Sequence, residues 1–306
     1  MRVLHSMEEL AALHRPVHWA MGFFDGVHRG HRRVVESAAT PGALRGVLTF
    51  AEHPLAVLAP QRQPMLITPL PEQKMALLEA LGVEVLLVLP FTRELAAVEA
   101  VDFLERLRAA CPMAGISVGE NWKFGARGAG DAALVRQYAA QHGLQACVQP
   151  MAGQGGENIC STRIRRLLAA GNMPEAEALL GHSYTLCGMV ETGQKLARTM
   201  GFPTANMRVH PHAALLPAGV YAVEALLPGG GMRQGIANLG RRPTIAEAEK
   251  ILRLEAHFPH WQGDLYGQHL CVSLRRFLRA EQHFASLAEL QAQIRRDVAS
   301  LNSLPG

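Results

Sequence analysis

Gly22-Phe23-Phe24-Asp25-Gly26-Val27-His28-Arg29-Gly30-His31 closes the apolar, strand-like run Val17–Gly22 and opens a helix-like segment over His31–Ser37. A strand that turns into a helix through glycines predicts a site at the carboxyl edge of a parallel sheet, where ligands bind. Free N–H groups and the partial positive charge of a helix N-terminus suit phosphate there. His28 and His31 are three residues apart and share a face of the first helical turn. Gly30 between them is expected to leave room for a nucleotide. His28-x-x-His31 as half of a metal site is disfavoured, because no Cys, Asp or Glu is spaced to complete it. The plain alternative is that both histidines only cap a helix.

The chain on either side of this loop keeps the same rhythm. Strand-like runs Gly46–Phe50, Val83–Leu89, Ile116–Val118 and Gln145–Gln149 alternate with helix-like segments Glu72–Leu81, Val98–Ala110 and Ala132–Gln141. This alternation predicts an α/β Rossmann-like domain, a parallel sheet with helices on both faces. A last helix is expected after Ser161-Thr162 as N-cap candidates, stopping at Gly171. Ser161, Thr162, Arg163 and Arg165 at its start form a second candidate anion cradle, since guanidinium suits bidentate phosphate contact. A solvated basic face is the bland reading of the same residues.

Beyond Tyr184 the pattern changes. Leu186–Glu191, Val220–Leu227, Gly235–Leu239, Ile251–Phe258 and His269–Phe277 read as strands broken by Pro and Gly, which predicts a small antiparallel barrel. Ser286-Leu287-Ala288-Glu289 is a capping box ahead of a terminal amphipathic helix. The domain boundary is placed at Gly181, giving residues 1–181 and 182–306. Within the second half, Gly201-Phe202-Pro203-Thr204-Ala205-Asn206 puts a hydroxyl and an amide oxygen two apart on an extended chain. Both are hard ligands suited to Mg2+ held together with ATP phosphates. Gly193, Lys195 and Arg198 lie upstream for phosphate approach, and Pro203 alone reads as a turn residue. Glu255 sits on a strand-like run and could act as a general base, although a lone strand Glu is commonly a solvated one. The spacing of His257 and His260 reads as incidental.

Composition narrows the classes. A net charge of +4 across 306 residues suits anionic small molecules and falls short of the basic stripe of a nucleic-acid binder. No apolar stretch of about 18 residues occurs, so a membrane span is not expected. Five scattered cysteines without C-x-x-C predict reduced thiols, no disulfide framework and a cytoplasmic protein.

The Gly22–His31 motif, with Thr49-Phe50, His53-Pro54, Val118-Gly119-Glu120, Phe124-Gly125 and Ser161–Arg166, resembles the H-x-G-H nucleotidyltransferase superfamily. Within it, the match is to the adenylyltransferase half of the bacterial bifunctional riboflavin kinase/FMN adenylyltransferase (FAD synthetase) family. Phe23, where that family has Asn, and Cys160, in place of the first Ser of Ser-Ser-Thr, are departures. Gly201–Asn206, Gly219-Val220-Tyr221, Ala237–Gly240, Arg242-Pro243-Thr244, Gly263–Gly267 and Leu278-Arg279-x-Glu281-x-x-Phe284 resemble its riboflavin kinase module, in order. The resemblance implies a six-stranded barrel with a C-terminal helix and a two-step path from riboflavin through FMN to FAD with ATP. It implies that His28, His31 and Arg165 carry adenylyl transfer, with Gly22, Asp25, Gly30, Ser161, Thr162 and Arg163 around the phosphates. In the kinase half, Glu255 activates the ribityl hydroxyl, Thr204 and Asn206 hold Mg-ATP, and Gly193, Arg198, Gly201 and Pro203 contact its phosphates. His53, Asn121 and Arg279 face flavin. Small-molecule substrates and a monomer or weak homo-oligomer are expected, with neither nucleic acid nor membrane as partner. Competing readings are a riboflavin kinase with a degenerate first half, a non-catalytic flavin sensor, and an RNA-binding module on Arg163–Arg166 and Arg275-Arg276.

Overall fold

The computed structural model describes residues 1–191, 204–242 and 251–303. They fall into two compact units, Met1–Ser161 and Thr162–Gly306.

In the first unit, β1 (Arg2–Leu4), β2 (Val17–Met21), β3 (Leu44–Phe50), β4 (Val85–Leu89), β5 (Met113–Gly119) and β6 (Gln145–Gln149) form one sheet. Its order is β1-β4-β3-β2-β5-β6, and every pairing is parallel. All five residues of β2 are buried. Trp19 and Met21 join one core with Leu104, Leu107 and Val135, while Ala20 joins the other with Val34, Val35 and Leu78. Two apolar cores on opposite faces require helices on both sides, as the alternation predicts. They are α1 (Arg29–Glu36), α2 (Pro54–Leu58), α3 (Pro71–Ala80), α4 (Arg93–Ala96), α5 (Ala100–Ala110) and α6 (Ala132–Gln141). Gly46 is required where β3 crosses β2, since a Cβ there would run into the Val17 methyl and the Trp19 ring. The β1 strand escapes sequence reading because three residues are too few to show alternation. A short hairpin, β7 (Gly153–Gln154) and β8 (Glu157–Asn158), follows the sheet.

Helix α7 (Ser161–Ala169) begins one step earlier than the capping assignment expects. Ser161 lies inside its first turn, and its hydroxyl donates to the Asp25 carbonyl at 3.0 Å instead of capping the helix. After Gly171 in the left-handed region (φ 73°), α8 (Met173–Leu180) starts on an Asn172 cap and stops at Gly181 (φ 78°).

The second unit is a closed barrel, ordered β10-β13-β12-β11-β14-β9, with every pairing antiparallel. Its strands are β9 (Tyr184–Glu191), β10 (Ala205–Arg208), β11 (Gly219–Leu226), β12 (Met232–Arg242), β13 (Ile251–His257) and β14 (His269–Ala280). Met207, Tyr221, Val223, Leu239, Leu254, Ala256, Val272 and Leu274 alternate into the buried interior. Helix α9 (Leu287–Ala299) covers the outside, packing Ile294 and Val298 with Leu301 against Val220, Ala222, Ile236 and Leu278. Ser286 caps it by accepting from the Glu289 amide, while the Glu289 carboxylate returns to the Ala285 N–H.

One expectation is overturned. Cys187 and Cys271 form a disulfide, while Cys111, Cys147 and Cys160 are free. The pair stand directly opposite on β9 and β14, with Cα atoms 4.1 Å apart. They are 84 residues apart in sequence, so only the barrel's register reveals that they are neighbours.

Candidate active sites

Strands β3 and β4 lie to one side of β2 and β5 to the other, so the chain reverses direction at the carboxyl ends of β2 and β5. That reversal opens a crevice in a doubly wound sheet. A cavity of about 230 Å³ occupies it. It is lined by Gly22, Phe23, Phe24, His28, Gly30 and His31 from the loop, Gly119, Asn121 and Trp122 after β5, and Cys160 and Ser161.

The loop is held by a distant segment, Ile67–Thr68. Asp25 is 3% exposed, and its Oδ1 accepts from the Ile67 and Thr68 amides at 2.9 and 3.1 Å. The Thr68 hydroxyl in turn accepts from the Gly26 N–H at 3.0 Å. Phe24 and Val27 sit at φ 57° and 41°, unusual for non-glycine residues and found where surroundings over-determine the backbone. Asp25 therefore works as an anchor that ties the loop to the Ile67–Thr68 segment.

His28 caps α1 by accepting from the His31 amide at 3.2 Å. Its ring stacks on His31, with centroids 3.5 Å apart at 16°. The capping contact of the plain alternative is present, and both rings also line the cavity. Gly30 makes space for the His28 ring, because a Cβ would lie 3.1 Å from it. Burial, with the nearby charges of His28 and Lys74, holds the His31 imidazole well below its usual pKa. His31 is therefore neutral at pH 7, and its buried Nδ1 has no partner among the described residues.

Two residues here were not found from sequence. Thr68 receives the loop, as above. Lys74, on α3, is 9% exposed and donates from Nζ to the Phe23 carbonyl at 2.9 Å. Only a lysine on the covered side of a predicted helix could have flagged it. His53 caps α2 through the Leu55 amide and meets the Phe23 ring edge-on at 4.7 Å. Asn121 is exposed at the cavity wall beside Trp122, which stacks on Phe124 at 4.3 Å. On α7, Arg163 pairs with Glu175 at 3.2 Å, Thr162 is exposed, and the Arg165 Nε is buried.

In the barrel, Asn206 is paired directly with Glu255, and Glu255 with Asn238 on its other side. Direct cross-strand partners point to one face. Since Ala205, Met207, Leu254 and Ala256 face inward, these three face outward. Asn206 is 6% exposed, and its Nδ2 donates to Thr204 Oγ1 at 3.3 Å. A cavity of about 310 Å³ is lined by Thr204, Asn206, Phe258, Trp261, Asp264 and Tyr266 among others. Along the same outer face Glu191 forks between Arg208 Nε at 2.8 Å and Arg253 at 2.9 Å. Asn238 donates to Glu281 at 3.1 Å. Glu191, Asn238 and Glu281 were not singled out as site residues from sequence, because strand register alone brings them there. Arg279 is engaged by Asp297 of α9 through contacts of 2.8 to 3.1 Å. Gly193, Arg198, Gly201 and Pro203, with Lys195, lie outside the described residues.

The row of Asn206, Glu255 and Asn238 on the barrel and the histidine loop on the sheet give the chain two candidate sites, one in each unit. Residues 10–163 match the family model described as FAD synthetase, and residues 180–304 match that described as riboflavin kinase. A bifunctional riboflavin kinase/FMN adenylyltransferase of Escherichia coli K12 is 39% identical over 282 residues, 90% of this chain and 89% of that protein. One from Pseudomonas fluorescens is 33% identical over 99% of this chain and 98% of its own. The chain belongs to the bifunctional riboflavin kinase/FMN adenylyltransferase family. A solved structure titled as a macrolide-efflux protein from Streptococcus pneumoniae superposes over 100% of both chains, with TM-score 0.88 and 26% identity. Among the described residues no helix is long and apolar enough to cross a membrane.

Proposed function

We propose that this protein makes FMN from riboflavin and ATP in its barrel unit, and FAD with release of pyrophosphate from FMN and a second ATP in its sheet unit. The observation that carries the kinase half is the outward row of Asn206, Glu255 and Asn238 beside a cavity that also contains Thr204. Glu255 accepts the proton of the ribityl 5′-hydroxyl as that oxygen attacks the γ-phosphorus. Thr204 Oγ1 and Asn206 fit a Mg2+ ion: both offer neutral hard oxygens, and the Asn206 amide nitrogen is turned to Thr204, leaving Oδ1 for another partner. No cluster of three or more His, Cys, Asp or Glu ligands exists among the described residues; Thr204 and Asn206 would hold the ion together with ATP phosphates. The ion would neutralise charge on the phosphates.

In the sheet unit the FMN phosphate attacks the α-phosphorus of ATP. Already anionic, it needs no base, so the work is positioning and charge stabilisation. His31, held neutral, contributes as a hydrogen-bond donor and not as a cation. The helix start, with Ser161, Thr162, Arg163 and Arg165 on α7, receives the pyrophosphate, while His53 and Asn121 stand toward flavin. Arg279 supports the flavin side of the barrel through its grip on α9. The two activities are divided at Gly181, where α8 ends, although α7 and α8 group with the barrel as one compact unit. The protein acts in the cytoplasm as a monomer or weak homo-oligomer on small molecules, without nucleic acid.

Product analysis with riboflavin and FMN as separate substrates tests this. Glu255→Gln should abolish FMN formation and spare conversion of FMN to FAD, and His31→Ala should do the reverse. A wild-type protein that forms FMN but no FAD would leave only the kinase, with the first unit a scaffold.

A further inference from the structure

Lys74 is a buried cation that the chemistry above does not use. It stands on α3, and its ammonium meets Phe23 twice: Nζ donates to the Phe23 carbonyl at 2.9 Å and lies 4.0 Å from the centre of the same residue's ring. The Phe23 carbonyl also accepts from the Thr49 hydroxyl at 3.0 Å, so β3 and α3 hold one oxygen from two sides. The ring's edge then meets the His53 imidazole at 4.7 Å. Ammonium, aromatic ring and imidazole thus form a column of contacts in which Phe23, which lines the cavity, touches both of the others. Cation–ring attraction strengthens when the pair is desolvated, as it is at a lysine 9% exposed. Phe23 is adjacent to Phe24, whose left-handed backbone needs such support.

Resting on the reading of the sheet unit as an adenylyltransferase, we propose that Lys74 is a positioning residue for adenylyl transfer. Its charge, acting through Phe23, fixes the histidine loop and the His53 imidazole against the two substrates. Lys74 is not catalytic, since it stands behind the cavity wall. The groups that bear on it are Asp25, whose carboxylate favours its charge, and His31 of the loop, itself stacked on His28, with His53 on the Phe23 ring. Burial lowers the Lys74 ammonium from 10.5 to about 8, against the opposing pull of Asp25. The column therefore loses its cation at mildly alkaline pH, where an arginine would keep it.

The test uses the full chain and measures FAD formation from FMN and FMN formation from riboflavin between pH 7 and 9. Lys74→Met should lower kcat for FAD formation roughly 10- to 100-fold, the scale of a misplaced substrate, and leave FMN formation unchanged. Wild-type FAD formation should decline as pH rises through about 8. Lys74→Arg should restore activity at pH 7 and remove that decline. Unchanged FAD formation in Lys74→Met overturns the proposal. So do superimposable pH profiles for wild type and Lys74→Arg, a comparison that does not depend on how well the methionine variant folds. A wild-type protein that makes no FAD at pH 7 overturns the adenylyltransferase reading itself, and the role of Lys74 falls with it.

Discussion

His18 shows how one side chain ties sequence, packing and pH together. It is fully buried on β2, with Nδ1 2.7 Å from the Thr40 hydroxyl and Nε2 2.9 Å from that of Ser117. Desolvation lowers its pKa from 6.5 to about 4. A base whose folded pKa is depressed favours its neutral form, so its contribution is fully present above about 6.5. It is lost progressively as pH falls toward 4, where the unfolded chain binds the proton more readily. The shift corresponds to about 3 kcal/mol. Urea unfolding of the full chain should therefore show the sheet unit weakening between pH 6.5 and 4. His18→Gln, which keeps hydrogen-bonding groups without a titrating proton, should flatten that slope. A slope unchanged in the variant would remove His18 as its source. The placement of His28 and His31 was legible because strand, loop and helix start are consecutive in the chain. Lys74 and Thr68 were not, since they reach the loop from sequence separations of 51 and 42 residues.

Helix α9 depends on one ion pair as well as its apolar face. Asp297 is 6% exposed and faces Arg279 of β14 through three contacts, with Gln293 donating to the same carboxylate at 2.8 Å. Removing one partner of a buried pair leaves the other charge uncompensated. Asp297→Ala should thus destabilise the barrel unit by about 3 kcal/mol. Thermal unfolding would show a lower Tm for that unit alone, and a shift of under one degree would make the pair dispensable. The capping box made this helix readable from local residues. The row of Asn206, Glu255 and Asn238 was only half readable: the residue types were visible, but their juxtaposition depends on β10, β13 and β12 pairing in one register. Nothing within a single strand specifies that register.

For the molecule as a whole, composition pointed to reduced thiols, yet the barrel brings Cys187 and Cys271 together. A reducing cytosol would keep that pair as thiols, so the bond is expected in protein isolated under air. Thiol titration of such protein in denaturant should find three reactive cysteines without reductant and five after it. On the loop-entropy account, reduction should weaken the barrel by about 4 kcal/mol, read as a lower denaturant midpoint. Five reactive thiols from the start would show that the pair does not cross-link. The division into a parallel sheet unit and an antiparallel barrel was legible because hydrophobic rhythm changes near Tyr184. The pairing that closes the ring was not, because it joins β9, the first barrel strand, to β14, the last.

That closure bears on biosynthesis. Strand β9 leaves the ribosome well before its partner β14, and between them every other barrel strand must emerge. The sheet unit can complete its pairings while translation continues, but nascent β9 presents an unpaired edge until β14 emerges. Such edges invite association with neighbouring chains, so slow or stalled elongation late in the message should favour aggregation originating in the barrel.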